Sequence, residues 1–442
     1  MLRTCILLLV SLLLYSAIVP AQNIHIIAGT TSEGFSGDGG PSVDASISNP
    51  FVSRADAGGN LYIADYMNNR IRKINTAGTI NTVAGNGSAA ISGDGGPAMD
   101  AGIASPISVA TDRTGNFYIA TGNQIRKVNT TGIITTIAGN GTTTYSGDGG
   151  PATAAGFAGI NDLTVDTSGN IYITDPGAGK IRKINTAGII SLFAGNPATG
   201  SGNDGIPATD AYLSTPWGIT ADNKGNIYFT ESMFNRVRKI NSAGIITSLM
   251  KADTAGFSGD GGPATNAQLS LSGSINNVAT DTAGNIYIAD VGNGRIRMIS
   301  TTGIITTVAG GGWDGSGVPA TDAHLGYPYC VSVDNAGNLY ITDIAVIWKV
   351  SANSTGVQPV KSESQQLALS HNPTKGSFSL SLSSPTTLPA HIIITNIIGQ
   401  PIKELTTTTN KETEITLNAP PGIYFVTSVT DEGRQTAKLI IE

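Results

Sequence analysis

The chain has little cysteine, little histidine and little charge. Only two of its 442 residues are cysteine, and one of them, Cys5, lies in a segment that we expect to be removed. A mature chain would then carry the single thiol of Cys330, which excludes an internal disulfide. Exported proteins can normally form disulfides. Because this chain would have none, we expect its stability to come from a packed core.

Charged residues make up 13% of the chain, and the formal net charge is -6 with a pI near 5.3. General nucleic-acid binders concentrate cations to neutralise phosphates, so we expect no nucleic-acid partner. The five RIRK-like stretches do not change this, because no stacking aromatics alternate with them. Low charge together with 56 glycines favours strands joined by tight turns over long helices.

The scarcity of histidine bears on catalysis and metal binding. The four histidines are His25, His324, His371 and His391. They form no cluster and show no zinc-ligand spacing, so we expect no catalytic residue and no metal site. Calcium stays open as an alternative, because glycine-rich loops place aspartates such as Asp38 and Asp94 beside backbone carbonyls. We favour capping of their own turns as the role of these aspartates.

Residues 1–21 have the pattern of a cleavable signal peptide. Arg3 precedes an apolar stretch at 6–14, and Val19 and Ala21 stand three residues and one residue before a plausible cleavage point. No later apolar run approaches the length of a membrane span. We therefore expect no transmembrane segment after signal cleavage.

What the chain has in abundance is a repeat of 53 to 59 residues. The asparagine of its Gly-Asn dipeptide falls at Asn60, Asn116, Asn170, Asn226, Asn285 and Asn338. Each copy reads as four short strands, but the last copy stops after three, and IHIIAG at 24–29 matches the missing fourth. An up-and-down meander repeated radially is a β-propeller. The sequence thus predicts an all-β fold, a six-bladed propeller at 22–350 closed by its N-terminal strand.

Turn residues predict that the two ends of each blade differ. Asp-x-x-Gly between strands one and two, and Asn-x-x-Gly between strands three and four, are typical of tight type I turns. The opposite end carries crossing loops of about 20 residues, most of which contain an SGDGGP-like phrase. We call these ends the tight-turn face and the long-loop face. On the long-loop face, residues such as Asp65 and Arg70 form either a recognition ring or within-blade ion pairs and loop braces, and we favour the second interpretation.

Candidate ligand-binding residues begin each first strand at the long-loop face. Phe51, Trp217 and Tyr329 are aromatic, and we align Ile107, Ile160 and Ile275 with them. Aromatics at the mouth of a central channel can stack on a sugar or a peptide side chain. The alternative is that they pack beneath the crossing loops.

Two family resemblances follow from longer stretches. GDGGPATNAQL followed by GNIYIADVGNGRIRMI resembles the bacterial form of the NHL repeat, over residues 24–350. NPTKGSF at 372–378, TNIIGQPI at 395–402 and PGIYFV at 421–426 resemble the C-terminal sorting domain of the type IX secretion system. That resemblance implies a small β-sandwich at 365–442, after a linker at 351–364, that engages the secretion machinery.

Together these features predict a secreted or cell-surface protein. We expect a non-enzymatic binding module that uses the long-loop face of the propeller to recognise an extracellular protein or glycan. The alternative is an extracellular propeller lyase or hydrolase that acts on a carbohydrate or an ester. Propeller enzymes of that kind hold a metal through histidines and carboxylates, a set that the sequence does not display.

Overall fold

The computed structural model describes residues 22–30, 32–197, 204–250, 254–271, 276–351, 366–370, 372–383, 387–396, 400–430 and 433–442. The expected signal peptide and all but the first residue of the expected linker lie outside these residues. The chain divides into two compact units, Met1–Ser354 and Thr355–Glu442. The described secondary structure consists of β-strands and short 3₁₀ turns, so the chain is all-β.

The described part of the first unit contains six antiparallel sheets, whose strands we number first to fourth across each sheet. Sheets 1 to 3 are Pro50–Ala55, Leu61–Asp65, Arg70–Ile74, Ile80–Ala84; Pro106–Thr111, Phe117–Thr121, Gln124–Val128, Ile134–Ala138; and Leu163–Val165, Ile171–Asp175, Lys180–Ile184, Ile190–Ala194. Sheets 4 to 6 are Pro216–Ala221, Ile227–Glu231, Arg236–Ile240, Ile245–Ser248; Val278–Thr280, Ile286–Asp290, Arg295–Ile299, Ile305–Gly310; and Cys330–Val333, Leu339–Asp343, Val346–Val350, Ile24–Ala28. A two-residue strand, Ile206–Pro207, pairs with the outer edge of sheet 4.

The second strand of every sheet is buried along its whole length. In Leu61–Asp65 all five residues are buried, and the same holds for the second strands of the other five sheets. Successive side chains of a strand point to opposite faces, so both faces of each sheet are covered. Each first strand contacts those of the sheets before and after it, and the first strand of sheet 6 contacts that of sheet 1.

The N-terminal strand is held on both of its edges. Ile24–Ala28 pairs antiparallel with the third strand of sheet 6, Val346–Val350, as the repeat count predicted. On its other edge the Ile24 N–H donates to the Val318 carbonyl over 2.9 Å, and the Gly317 N–H donates to the Ile24 carbonyl over 2.7 Å. The fourth strand of the last sheet therefore comes from the start of the chain.

The SGDGGP phrases cover the outer edges of the sheets. In the first, the Gly39 N–H donates to the Ile80 carbonyl over 2.9 Å, and Pro41 forms a bridge with Thr79 beside the fourth strand of sheet 1. Gly37 has φ +86°, and a Cβ there would lie 2.6 Å from the Cβ of Ala45, so this residue must be glycine. Covering an outer edge protects unpaired backbone groups from other chains.

Short 3₁₀ turns complete these connections. A single turn follows the proline of each phrase in the crossing loops to sheets 1 to 5. These turns are Ser42–Asp44, Ala98–Asp100, Ala152–Ala154, Ala208–Asp210 and Ala264–Asn266. Three more turns follow second strands, at Tyr66–Asn68, Pro176–Ala178 and Val291–Asn293.

The second unit has two antiparallel sheets. Gln366–Ser370, Ser377–Ser383 and Thr413–Thr416 form the first, and Pro401–Thr408, Pro389–Asn396, Gly422–Thr430 and Gly433–Ile441 form the second. Alternate residues from both sheets, including Leu380 and Ile392, share one buried core.

Candidate functional site

Buried arginines bind the recurring acidic residues of the repeat. Arg72, in the third strand of sheet 1, has no exposed surface, and its Nη2 lies 2.8 Å from Asp38 Oδ1. Its Nη1 lies 3.6 Å from Asp65 Oδ2, while Thr82 Oγ1 donates to Asp38 Oδ2 over 2.7 Å. Capping of its own turn was thus the wrong role for Asp38. It ties the crossing loop to the sheet through a fully buried cation.

The same loop-to-strand ion pair recurs four times, as Arg126–Asp94, Arg182–Asp148, Arg238–Asp204 and Arg297–Asp260. In sheet 2, Thr121 replaces the second acidic residue, and its hydroxyl donates to the Ala104 carbonyl. In sheet 6, Trp348 occupies the place of the buried arginine. The recurring charges therefore stabilise the repeat internally.

Asp65 does not pair with Arg70, but both side chains brace loops, as the favoured interpretation also held. The Asp65 carboxylate accepts from the Ser48 N–H over 2.9 Å and from the Asn68 side chain over 2.9 Å. Arg70 instead donates to the Asn68 carbonyl, and its guanidinium lies 3.8 Å above the Phe35 ring.

Asp290 and Arg295 do not pair either, because Arg295 donates to the Asn293 carbonyl over 2.7 Å and Asp290 accepts from the Ser270 N–H over 2.7 Å. Sheet 4 does contain the predicted pair, in which Arg236 Nε lies 2.5 Å from Glu231 Oε2.

Aspartates line a recess of about 490 Å³ on the tight-turn face. Asp112 is typical, because its Oδ1 accepts from the backbone of Thr114 and Asn116, and its Oδ2 accepts from the Asn116 amide and the Tyr118 hydroxyl. Although burial acts to raise the pKa of Asp112, these hydrogen bonds outweigh it and lower that pKa. The carboxylate is thus engaged by its own turn.

Strand pairing fixes the equivalent positions at which the first strands begin on the long-loop face. Ser53 pairs with Ile63 in sheet 1 and Leu163 pairs with Ile173 in sheet 3, and the other sheets align in the same way. In each sheet, the residue two positions before this aligned residue (before Ser53 in sheet 1 and Leu163 in sheet 3) belongs to a set that we call the mouth. The six mouth residues are Phe51, Ile107, Asn161, Trp217, Asn276 and Tyr329.

The mouth contains all three predicted aromatics, but one predicted isoleucine is wrong. Ile160 lies one position before Asn161 and packs in the core between sheets 2 and 3. Ile275 lies outside the described residues, and the pairing places Asn276 at the mouth. The first strands of sheets 1, 2 and 4 begin with a register shift, whereas those of sheets 3 and 5 pair without one, so a single count of residues did not fit every sheet.

Four rings form an aromatic strip at sheets 6 and 1. Phe51 stacks on Tyr66 with ring centroids 4.2 Å apart, and Tyr329 lies edge-on to Phe51 at 6.0 Å. Tyr327, which is 52% exposed, continues the strip 6.2 Å from Tyr329. Burial raises the pKa of Tyr329, with a further contribution from the nearby Asp343 carboxylate. Tyr66 and Tyr327 were missed because neither begins a first strand.

Trp217 lies apart from this strip, in sheet 4. Its backbone carbonyl accepts from Thr174 Oγ1 over 2.7 Å, which ties it to sheet 3. Its indole Nε1 and the Nδ2 of the neighbouring mouth residue Asn161 are both buried, and neither has a hydrogen-bond partner. The mouth therefore combines aromatic rings with two unsatisfied donors.

Beneath the mouth, side chains from several first strands meet in what we call the central hub: Arg54, Ser108, Asp162, Asn277 and Cys330. Arg54 Nη2 lies 3.1 Å from Asp162 Oδ2, which also accepts from Asn277 Nδ2 over 2.7 Å. Ser108 Oγ donates to Asp162 Oδ1 over 2.5 Å. Arg54 Nη1 lies 3.0 Å from Asn277 Oδ1 and 3.2 Å from Cys330 Sγ. These contacts join sheets 1, 2, 3, 5 and 6.

Sheet 4 joins the hub through its backbone, because the Ile219 N–H donates to Asp162 Oδ2 over 2.9 Å. Next to it, Gly218 allows close approach, since a Cβ there would lie 2.5 Å from Asn277 Cα. Burial acts to lower the pKa of Arg54, but the Asp162 carboxylate outweighs it and raises that pKa. Burial raises the pKa of the Cys330 thiol. The hub thus holds a charged pair and a protonated thiol at the centre.

Within the described residues, no group of three or more histidine, cysteine or acidic side chains is placed to hold a metal ion. No described helix is long and apolar enough to cross a membrane.

Two family models match parts of the chain. Residues 86–146 match the Teneurin NHL domain, and residues 372–442 match the secretion system C-terminal sorting domain. The curated relative Teneurin-1 of Gallus gallus is 29% identical over 282 residues, which cover 54% of this chain. The chain spans about a tenth of the length of that relative.

Two solved structures share the fold of the first unit. A Bacteroides thetaiotaomicron protein of unknown function aligns with a TM-score of 0.56 at 18% identity, covering 75% of this chain and 76% of its own. An auxiliary nutrient binding protein from Bacteroides ovatus aligns with a TM-score of 0.53 at 14% identity, covering 75% and 77%. The chain is therefore a secreted or cell-surface protein that carries an NHL-repeat β-propeller and a type IX secretion C-terminal sorting domain.

Proposed function

We propose that this protein is a non-enzymatic binding module whose ligand sits at the mouth on the long-loop face. One contrast carries the proposal. The recurring charges of the repeat bind one another, as in Arg72 with Asp38, whereas the mouth residues differ from sheet to sheet. Variable side chains on a repeated scaffold are typical of recognition surfaces.

The proposal includes a closed ring of six blades. The cyclic contacts among the first strands support it, as does the pairing of Ile24–Ala28 with the last sheet. Closure would fix the six mouth residues relative to one another, and a rigid site loses less entropy when a ligand binds.

We assign export to the second unit, whose match to a sorting domain covers residues 372–442. In this proposal the secretion machinery recognises that unit and delivers the propeller to the cell surface or beyond. The ligand is then an extracellular protein or glycan. Calcium remains an untested cofactor of the crossing loops.

The experiment is to bind the full chain to an array of glycans and surface proteins, and to repeat it with Trp217→Ala and Tyr329→Ala. Met99→Ala is a matched control, because Met99 is 58% exposed and lies in a crossing loop away from the mouth positions. We expect both mouth variants to lose binding and the control to keep it. Binding that survives both mouth variants would refute the mouth as the site.

A further inference from the structure

The mouth is rich in aromatic and amide groups and poor in charge. Its six residues comprise three aromatics, two asparagines and one isoleucine, and only the Tyr329 phenol can ionise. The nearest acidic groups at the ends of second strands are engaged, since Asp343 accepts from the backbone N–H groups of Gly326 and Tyr327. Such a surface offers no counter-charge, which favours an uncharged ligand over an ionic one.

The rings of the aromatic strip pack on one another, since Phe51 and Tyr66 are stacked and Tyr329 is edge-on to Phe51. The ring that remains open to a ligand is Tyr327, at the end of the strip beside Tyr329. The axial C–H groups of a sugar pack against aromatic faces, and tyrosine adds a hydroxyl at the ring edge. Tyr327 is the most exposed member of the strip, so it is the first surface that a ligand meets.

The mouth residues of sheets 3 and 4, Asn161 and Trp217, contribute hydrogen-bond donors. Asn161 Nδ2 and Trp217 Nε1 are buried without acceptors, and a donor in that state costs free energy until an oxygen reaches it. Hydroxyl and ring oxygens of a sugar are such acceptors.

The central hub supplies a floor. Asp162 follows Asn161 in the chain, and Cys330 follows Tyr329, so the hub lies one residue deeper than the mouth. The ion pair of Arg54 and Asp162 spans the centre at this level. In this arrangement a ligand at the mouth lies next to a polar layer.

We propose that the mouth binds an uncharged carbohydrate, with sugar rings stacked on the aromatic strip and sugar oxygens accepting hydrogen bonds from Asn161 and Trp217. The inference rests on the proposed function and specifies the ligand class of the same site.

The test titrates the full chain with soluble neutral polysaccharides (a glucan, a mannan and a xylan) and with the acidic polygalacturonate. Binding is measured by calorimetry and by the fluorescence of the tryptophans. We expect a neutral polysaccharide to bind in preference to the acidic one. Tyr327→Ala and Asn161→Leu should each weaken it at least tenfold, whereas Met99→Ala should leave the affinity unchanged. Tyr327 is exposed, so its variant retains the fold.

Two results would overturn the carbohydrate inference and leave the proposed binding function standing. If Trp217→Ala and Tyr329→Ala abolish binding to a protein while no neutral polysaccharide binds, the mouth is a protein-binding site and the carbohydrate inference is overturned. If neutral polysaccharide binding is indifferent to Tyr327→Ala and Asn161→Leu, sugar binds elsewhere and the inference is overturned as well. If no mouth variant alters any binding, both statements are overturned.

Discussion

Arg54 and Asp162 form an ion pair across the centre of the propeller, with 3.1 Å between Nη2 and Oδ2. The two residues belong to sheets 1 and 3 and are 108 positions apart in the chain. The same carboxylate accepts from Ser108, Asn277 and the Ile219 N–H. One acidic side chain thus connects five of the six sheets, and Cys330 on the far side of Arg54 brings in the sixth.

Removing this carboxylate should destabilise the propeller strongly. Asp162→Ala leaves the largely buried guanidinium of Arg54 unpaired, and breaking a buried pair costs about 3–5 kcal/mol. The three tryptophans all lie in the first unit, so denaturant unfolding followed by tryptophan fluorescence reports on the propeller. Asp44→Ala, at an exposed turn residue, is the control. A loss below about 1 kcal/mol, the range of surface pairs, would show that the hub is not a structural centre.

Removal of the N-terminal strand should also weaken the unit. Without residues 22–30, sheet 6 loses its fourth strand and the burial of Ile24 and Ala28, and the stability of a repeat array depends on the interfaces between neighbours. We expect a clearly lower Tm by calorimetry. The control removes the same number of residues, 354–362, from the predicted linker. An unchanged Tm for the N-terminal deletion would mean that closure does not depend on this strand.

The close packing of sheets 4 and 5 can be tested by replacing a glycine with alanine. At Gly218 a Cβ would lie 2.5 Å from Asn277 Cα, whereas a Cβ at Gly159 would meet nothing within 4 Å. We expect Gly218→Ala to cost about 1–3 kcal/mol and Gly159→Ala to change the unfolding free energy by less than about 0.5 kcal/mol. Equal effects at both positions would contradict the close approach at the hub.

The free energy of unfolding should depend on pH through the buried carboxylate of Asp175. Burial raises its pKa from 3.8 to about 6, against hydrogen bonds from Ala158 and the charge of Arg182. Because the folded state binds this proton more tightly than the unfolded state, the stabilising contribution is present below pH 3.8 and is lost as pH rises through about 6. Asp175→Asn lacks this loss, so we expect its stability relative to the parent to rise by up to about 3 kcal/mol between about pH 4 and pH 7.

The measurement is denaturant unfolding of both proteins across that range. Asp222→Asn is the matched control, because hydrogen bonds outweigh burial and lower the pKa of Asp222, so its own transition lies below the range. A difference between Asp175→Asn and the parent that stays flat with pH would contradict the raised pKa.

Export should depend on the second unit. In a bacterium with a type IX secretion system, a chain that ends before residue 365 is expected to stay inside the cell, while the full chain reaches the surface or the medium. Immunoblots of cell fractions measure this directly. The control is an internal deletion in the linker, such as residues 354–362. Equal export of the chain with and without the sorting domain would show that another segment carries the signal.

The repeat could be predicted from sequence because the same residue types recur at equivalent positions of its strands. Its second strand, LYIAD in sheet 1, is buried on both faces in every sheet, so the pattern recurs in each copy. The partner of Arg72 could not be predicted, because Asp38 lies 34 residues earlier in a loop. Asp65 is nearer in sequence to Arg70 than to Arg72, which favoured the wrong pair. Geometry settled this, since Ser48 and Asn68 occupy the Asp65 carboxylate.

The hub was missed for a different reason. Arg54, Asp162 and Asn277 each occur in one repeat only, so a search for recurring letters passes over them. A signal was present, however. Aligned by strand register, Asp162 and Asn277 occupy the same position of two first strands, where sheet 1 has Val52. A charged or amide side chain in place of an apolar one marks a position where the repeats meet one another.

The central claim is that the ligand binds at the mouth, and the position of a bound ligand tests it most directly. The measurement is a crystal structure of the full chain with the ligand that the array identifies. The binding proposal predicts that the ligand contacts Trp217 and the aromatic strip that contains Tyr329, above the ion pair of Arg54 and Asp162. A ligand seated in the tight-turn recess beside Asp112, or on the outer crossing loops, would contradict it.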